Sequence, residues 1–327
     1  MSTSTIGALD IGGTKLAATV ADRNGPLARV TAPTPRAGSE RAVAEKGLEL
    51  LMQACAKAGV DAASVDTLGV SSCGPFVRID GAIALIAPNL CGGIAPSPDL
   101  PNTWQAIPLE APLRERFGHV VIDNDCVAAL HGERTFGAVQ DEPDCIYVTW
   151  STGAGFGLCV DGHILRGKHG NAGHAGHMLL SDTSDALCGC GNVGDTEALV
   201  SGRNLANRFG VSAPDLFGAA REGDKAAQAA VADAACWFGR ALYNLTAILD
   251  TRVFVIGGSV WNHHGDLLLP LVKPEIDSRM PALTRGVRIT SAALGDFVAD
   301  VGALSLVMPQ EWIAGWRNTQ PWSRLKR

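Results

Sequence analysis

The chain has no long apolar run, no cluster of positive charge, no low-complexity linker and no cysteine pattern that reads as a disulfide framework. Each absence removes a class of function. Nothing in the 327 residues approaches the ~20 consecutive apolar residues of a membrane span, so no membrane association is expected. The opening MSTSTIGALDIGG breaks its apolar residues with Gly and Asp and lacks a charged-then-apolar signal pattern. The cytoplasm is the expected compartment. Lys and Arg form no block beyond Arg324, Lys326 and Arg327, and the net charge is -6. A phosphate-backbone contact surface, and with it nucleic-acid binding, is not expected. The nine Cys, at 55, 73, 91, 126, 145, 159, 188, 190 and 236, are odd in number and scattered, which fits a reducing compartment.

What is present is a core-forming chain, 46% hydrophobic, whose length suits two domains better than one. Its chemistry concentrates in the stretch 170–197, GNAGHAGHMLLSDTSDALCGCGNVGDTE. There His177, Cys188, Cys190 and Asp195 offer one imidazole, two thiolates and one carboxylate oxygen, a tetrahedral set for a structural zinc ion. The competing interpretation makes the two Cys ordinary buried thiols in a glycine loop.

Along the chain, residues 6–22 read IGALDIGGTKLAATVAD. Apolar runs on both sides of Gly-Gly-Thr-Lys predict two strands joined by a turn, not a strand entering a helix. Neither the P-loop nor the dinucleotide-binding glycine pattern is met. The hairpin instead brings the bare backbone of Gly12 and Gly13, the Thr14 hydroxyl and Lys15 toward phosphates, with Asp10 placed to hold a hydrated magnesium ion. Asp10 also reads as a turn-stabilising residue. Residues 40–58 predict a surface helix, and 67–72 a buried strand ending at a Gly74-Pro75 turn. Asn89, after Pro88, is either a turn former or an amide that both donates to and accepts from a polyol. In HVVIDNDCVAALHGERTFG (119–137) a short strand over 120–122 gives way to a helix, putting Asn124 and Asp125 at the C-terminal end of a strand, where α/β folds bind ligands; Asp125 also reads as a helix N-cap. CIYVTWSTGAGFGLCV (145–160) repeats the plan of the N-terminus, strand, glycine turn with Thr152, Gly153 and Gly155, strand. Two similar halves with a cleft between them are therefore expected. Helices are predicted over 198–209, 215–221 and 224–250. TRVFVIGGSV (251–260) predicts a strand ending at Gly257 and Gly258, whose backbone either approaches a flat ligand such as adenine or simply turns. Trp312, Trp316 and Trp322 are expected to pack the tail onto the body.

With DIGGTK at 10–15, CGP at 73–75, APNL at 87–90, NDC at 124–126, STGAGFG at 151–157, GHM at 176–178, CGCGNVGDTE at 188–197 and VIGGS at 255–259, the chain resembles the ROK family of bacterial sugar kinases and repressors. The match is ordered and spans nearly the whole chain. The resemblance implies an α/β, actin-like ATPase (hexokinase and ribonuclease H-like) fold of two domains flanking a cleft. A smaller N-terminal domain, 1–118, joined by the C-terminal helix at about 300–327, would face a larger one, 119–299. ATP and Mg2+ are implied as well. Carried over position by position, Asp125 is the base that takes the proton of the attacking sugar hydroxyl, and Asn124 and Asn89 hold hydroxyls. Gly74, His177 and Glu197 match further sugar-contacting positions. The hairpins at 8–15 and 151–158 match the phosphate-binding loops, and Gly257 and Gly258 the nucleotide end.

The chain departs from the family twice. His174 stands where the kinases carry the Glu of Glu-x-Gly-His, which puts glucose in question and suits a substrate with another substituent or configuration there. Asp195 stands where the third Cys of the zinc pattern is usual, so occupancy by Zn2+ is open. The expectation is an ATP-dependent hexose kinase acting at the 6-position; the alternatives are a kinase for an aminosugar, an N-acylated aminosugar or a cyclitol, and a non-catalytic sugar-binding regulator. The family's repressors carry a helix-turn-helix ahead of DIGGTK; with nine residues before Asp10, no such module is expected. A homodimer binding only small molecules is the expected assembly.

Overall fold

The computed structural model describes residues 4–91 and 104–325; the basic tail residues Lys326 and Arg327 lie outside them. The chain divides into two compact units, Met1–Gln140 with Arg166–Ala172 and Asp296–Arg327, and Asp141–Leu165 with Gly173–Gly295.

The first unit is built on β1 (Ile6–Ile11), β2 (Lys15–Asp22), β3 (Gly25–Pro33), β4 (Thr67–Ser72), β5 (Phe76–Ile79), β6 (Ala82–Leu85), β7 (Ile107–Pro108) and β8 (His119–Asn124). Its main sheet has the order β3-β2-β1-β4-β8, antiparallel from β1 through β3 and parallel from β1 through β8. β1 and β4 are covered on both faces, and their residues are buried almost throughout. On one face lies the helix Ala42–Ala58, close enough that a Cβ on Gly47 would stand 3.0 Å from the Leu9 side chain. On the other lie Asp125–Thr135 and Val298–Ser305. Glycine makes that contact possible: a Cβ on Gly69 would stand 2.0 Å from the Ala303 carbonyl oxygen, and one on Gly302 2.7 Å from that of Ala128. β5, β6 and β7 form a small separate sheet.

The first unit thus runs through Gln140 rather than ending at 118. β8 extends the first sheet by pairing with β4, and the helix after it packs on that same sheet. The aromatic tail belongs here too: Phe136 packs at a tilt against Trp316 and Trp322 at centroid distances of 5.9 and 5.3 Å, and Trp312, Trp316 and Trp322 are all buried.

The second unit repeats the plan with β9 (Cys145–Trp150), β10 (Ala154–Val160), β11 (His163–Ile164), β12 (Val253–Gly257) and β13 (Arg288–Ser291), in the order β11-β10-β9-β12-β13. Again an antiparallel hairpin, β9 with β10, adjoins parallel strands, β9 with β12 and β13. Its core gathers on Trp150, stacked 4.0 Å from Phe238 of the long helix Lys225–Leu249. That helix is N-capped by Asp224 and stopped by Asp250 in the left-handed conformation. The single helix expected over 198–209 is two, Thr196–Val200 and Gly202–Phe209. Ser201 between them is extended and caps the second, while the Gly202 amide turns to the Ser151 carbonyl at 2.8 Å.

Candidate functional site

In the first unit Asp10 lies one residue before the end of β1 and accepts a hydrogen bond from the Ser71 hydroxyl of β4 at 3.2 Å. Burial, with the negative charges of Asp300 and Asp125, pushes its carboxyl up to about 7. A carboxylate held in so unfavourable a field is one that a cation would relieve. Asp300, itself buried, is held by the Thr19 hydroxyl at 2.7 Å and by Arg29 at 2.8 Å.

The turn after Asp10 is tight: the Gly12 amide donates to the Lys15 carbonyl at 3.0 Å. Asn89, on the short helix Pro88–Cys91, fills the space a side chain at position 13 would need, with its Nδ2 2.4 Å from where a Cβ would sit on Gly13. Thr14 and Lys15 face solvent. The Cys73 amide donates to the Ile11 carbonyl at 3.0 Å, which fixes Gly74 beside the end of β1.

β8 ends at Asn124, and the helix N-cap is Asn124 rather than Asp125: its side-chain oxygen accepts the Cys126 amide at 3.0 Å. Asp125 Oδ1 shares that amide at 2.9 Å. The Asp125 side chain reaches solvent, yet the protein packed around it strips enough water that desolvation raises its carboxyl despite the Cys126 and Asn124 hydrogen bonds. Burial pushes the nearby Cys73 thiol up as well, and it feels the charges of both Asp125 and Asp10. Asp10, Gly12, Gly13, Asn89, Gly74, Asn124 and Asp125, dispersed in the sequence, are thus gathered at one end of one sheet.

In the second unit the atoms of His177, Cys188, Cys190 and Asp195 lie within 4.8 Å of one another. Asp195 is fully buried and divides its labour. Its Oδ1 caps the helix Thr196–Val200 through the Ala198 amide at 2.7 Å, while Oδ2 lies 3.2 Å from His177 Nδ1 and 3.4 Å from Cys190 Sγ. Cys188 Sγ is 3.8 Å from the same His nitrogen. Ligands 2.0–2.3 Å from a tetrahedral zinc stand about 3.3–3.8 Å apart, so the spacing and the donor set fit a metal ion. The hydrogen bond with Asp195 raises His177 above its ordinary value. Burial alone would lift Asp195, but His177, the Ala198 amide and Cys190 hold it lower. Burial pushes both thiols up, which a bound cation would reverse.

The loop that carries His174 and His177 lies flat on β10. A Cβ on Gly173 would stand 2.4 Å from the Phe156 carbonyl oxygen, and one on Gly176 2.1 Å from that of Ala154. Glycine at both positions is a steric requirement. His174 precedes the single turn Ala175–His177, its ring 6.2 Å from that of His177. Glu197 links this region to the glycine hairpin: Oε2 accepts the Ala154 amide at 2.9 Å, and Oε1 accepts from the Cys188 thiol at 3.5 Å. At the hairpin, Thr152 and Ser151 give their carbonyls to the Arg203 and Gly202 amides, while Gly155 lies opposite Thr149. Gly257 also pairs with Thr149, from the other side. Gly258 takes a φ of 90° and passes within 2.5 Å, measured from a Cβ position, of the Trp150 carbonyl oxygen.

The ROK family model matches residues 6–310. The chain belongs to the ROK family. The N-acetylmannosamine kinase of Salmonella typhi is 35% identical over 260 residues, 77% of this chain and 82% of that protein. The crystal structure of a ROK hexokinase from Thermus thermophilus matches with a TM-score of 0.72 at 32% identity, over 92% of this chain and 97% of that one. A ROK family glucokinase from Streptomyces griseus, solved with glucose and AMPPNP, matches with a TM-score of 0.66 at 29% identity, over 93% and 99%. The architecture is accordingly that of the actin-like ATPases, as the motif order predicts.

Several residues that shape this ROK site carry no local sequence signal. Thr34 bonds to both ends of the Gly12–Thr14 turn; Ser71 and Asp300 act on Asp10; Asp123 and Arg166 form a bidentate pair beside Asn124. Each is distant in sequence from its partner or sits on a strand whose pattern is that of ordinary core.

Proposed function

We infer that this ROK protein is an ATP-dependent sugar kinase, transferring the terminal phosphoryl group of ATP to a hydroxyl of a hexose or N-acylated aminosugar. One observation carries the reading: Asp125, at the C-terminal end of β8, has a raised carboxyl and shares an electrostatic field with Asp10. Phosphoryl transfer asks a protein mainly for positioning, charge neutralisation and one group to accept a proton. Asp125 takes the proton of the attacking hydroxyl, and a raised pKa suits a general base. Asn124, Asn89 and Gly74 are the proposed holders of sugar hydroxyls, and His174, His177 and Glu197 are further proposed sugar-binding residues. The backbone of Gly12 and Gly13 with Thr14 and Lys15, and the Thr152-Gly153-Gly155 hairpin, receive phosphates; Gly257 and Gly258 approach the nucleotide base. Mg2+, when bound, neutralises phosphate charge, and Asp10 is the residue that would hold its hydration shell.

A zinc ion at His177, Cys188, Cys190 and Asp195 would be structural, with all four protein ligands supplied. The nine free thiols suit a reducing compartment, and among the described residues no helix is long and apolar enough to cross a membrane. The 6-hydroxyl is the proposed acceptor.

ADP release measured across glucose, mannose, aminosugars, N-acylated aminosugars and cyclitols, with Asp125→Asn as control, tests the reading. General-base catalysis contributes ~10²–10⁴ in rate, so the variant should lose at least that much while still binding nucleotide. Absence of turnover with every sugar, or an Asp125→Asn variant retaining a tenth of the rate, would overturn it.

A further inference from the structure

The stretch Arg166–Ala172 belongs to the first unit although the chain on both sides of it belongs to the second. Two side chains hold it there. Asn171 accepts from the Phe76 amide at 2.7 Å and donates to the Phe76 carbonyl at 2.8 Å, gripping both polar groups of the first residue of β5. Arg166 grips Asp123 with both prongs: Nε stands 2.8 Å from Oδ1 and 3.1 Å from Oδ2, and Nη2 2.7 Å from Oδ2.

Asp123 is 3% exposed and Arg166 47%, so one partner is sealed in the sheet and the other reaches in from the surface. Ion pairs of this kind are poor devices for stability alone, since apolar residues of similar volume often do as well or better. What a bidentate Arg adds is direction, because its planar fork fixes both carboxylate oxygens at once. Asp123 is the residue before Asn124, the helix cap, and two before Asp125. In register it continues the row Asp10, Ser71, Asp123 across β1, β4 and β8, whose side chains share one face of the sheet.

We propose that Arg166 is a positioning residue for phosphoryl transfer: by clamping Asp123 it fixes the end of β8 and the first turn of the helix from which Asp125 acts. The proposal rests on Asp125 being the base. A base must meet its proton donor within ~2.6–3.2 Å, and a displacement of about 1 Å can cost ~100-fold in rate. Asp123 is anchored two residues from the base, where a loosened backbone would be felt.

The test is steady-state kinetics with thermal melts on Arg166→Ala, Arg166→Lys, the charge-free double variant Asp123→Asn with Arg166→Met, and Arg166→Ala combined with Asp125→Asn. Arg166→Ala is expected to lower kcat ~10- to 100-fold with the KM for ATP within about twofold of wild type, and Arg166→Lys to recover part of the loss. The double neutral variant should regain the wild-type melting temperature but not its kcat. In the Asp125→Asn background Arg166→Ala should do almost nothing more, because it acts through the base. Recovery of wild-type kcat in the double neutral variant, or full additivity with Asp125→Asn, would overturn the proposal. Full activity of Asp125→Asn alone would instead overturn the assignment of the base. If Arg166→Ala does not fold, Arg166→Lys and the double neutral variant decide the matter.

Discussion

The hydroxyl of Thr34 donates to the carbonyl of Gly12 at 2.7 Å. Thr34 is buried, stands just beyond β3, and its own amide donates to the Thr14 carbonyl at 3.0 Å. In a trans peptide the carbonyl and the following N–H point in opposite directions. Capturing the Gly12 oxygen therefore aims the Gly13 N–H away from Thr34, toward the open side of the turn, where a phosphate oxygen can accept it. Thr34→Val keeps the shape and the amide but loses the hydroxyl. A neutral hydrogen bond is worth about 1 kcal/mol, so the KM for ATP should rise ~5-fold with the KM for sugar unchanged, and Thr34→Ser should restore it. An unchanged ATP KM in Thr34→Val would mean that the turn is rigid without this bond.

Asp10 makes a prediction about stability. Its carboxyl ionises near 3.8 ordinarily and near 7 in the folded protein. The folded state then binds the proton more tightly than the unfolded state. Its contribution to stability falls as pH rises from about 4 to about 7 and is flat above. In the absence of divalent cation, Asp10→Asn should match wild type near pH 4 and melt at a higher temperature at pH 8, while losing Mg2+-dependent turnover. Added Mg2+ should narrow the gap at pH 8 by stabilising the ionised wild-type carboxylate. Calorimetry at the two pH values, with and without Mg2+, checks both parts; a wild type more stable than Asp10→Asn at pH 8 without cation would show that the carboxylate is not under strain.

The sequence exposed the hairpins and strand ends well because glycine interrupts apolar runs there, and apolar runs are what buried strands require. Asp10, Asn124, Asp125 and the glycine hairpin at 151–158 could be placed on strands and turns for that reason. Thr34 could not, since TAPTPR reads as an ordinary strand end and its bond partner is 22 positions away. Arg166 is equally silent: the loop residues 161–170 look like connection, and only the fold brings them to β8. The break at Ser201 escaped because helical periodicity runs through it; the cause is a tertiary bond from Gly202 to Ser151. The cap fell to Asn124 instead of Asp125 because the strand runs to 124, past the apolar residues 120–122 that mark it.

Asp195 separates two roles that a single substitution usually confounds. One oxygen caps a helix and the other faces His177 and Cys190. Asp195→Ser keeps a good N-cap and removes the metal-facing oxygen, whereas Asp195→Ala removes both. Elemental analysis of protein prepared without chelator should find about one zinc per chain in wild type, and little in Asp195→Ser, Asp195→Ala, Cys188→Ser or Cys190→Ser. Asp195→Ala should be less stable than Asp195→Ser by about 1 kcal/mol. Wild-type protein that contains no zinc, or that melts no lower after its zinc is chelated, would leave the four residues as a hydrogen-bonded cluster only.

The loop from Gly173 to His177 fixes where any side chain at position 174 can go. Its glycines lie against the Phe156 and Ala154 carbonyls with no room for a Cβ, so substituting His174 changes the chemistry presented and leaves the loop in place. A Glu at this position would present an acceptor and a negative charge, whereas an imidazole brings a ring N–H that can donate. A site that leaves a buried polar partner unpaired rejects the wrong ligand strongly, whereas a missing apolar contact costs only ~1–3 kcal/mol. Wild type should therefore use glucose poorly relative to its preferred sugar, and His174→Glu should shift kcat/KM toward glucose. Gly176→Ala is the control for the loop: its Cβ would collide with the Ala154 carbonyl, so the loop must lift from β10, and the KM should rise for every sugar without a change in preference. If wild type prefers glucose and His174→Glu leaves the ratio unchanged, His174 does not set specificity; if Gly176→Ala alters the preference as His174→Glu does, the effect belongs to loop position and not to the imidazole.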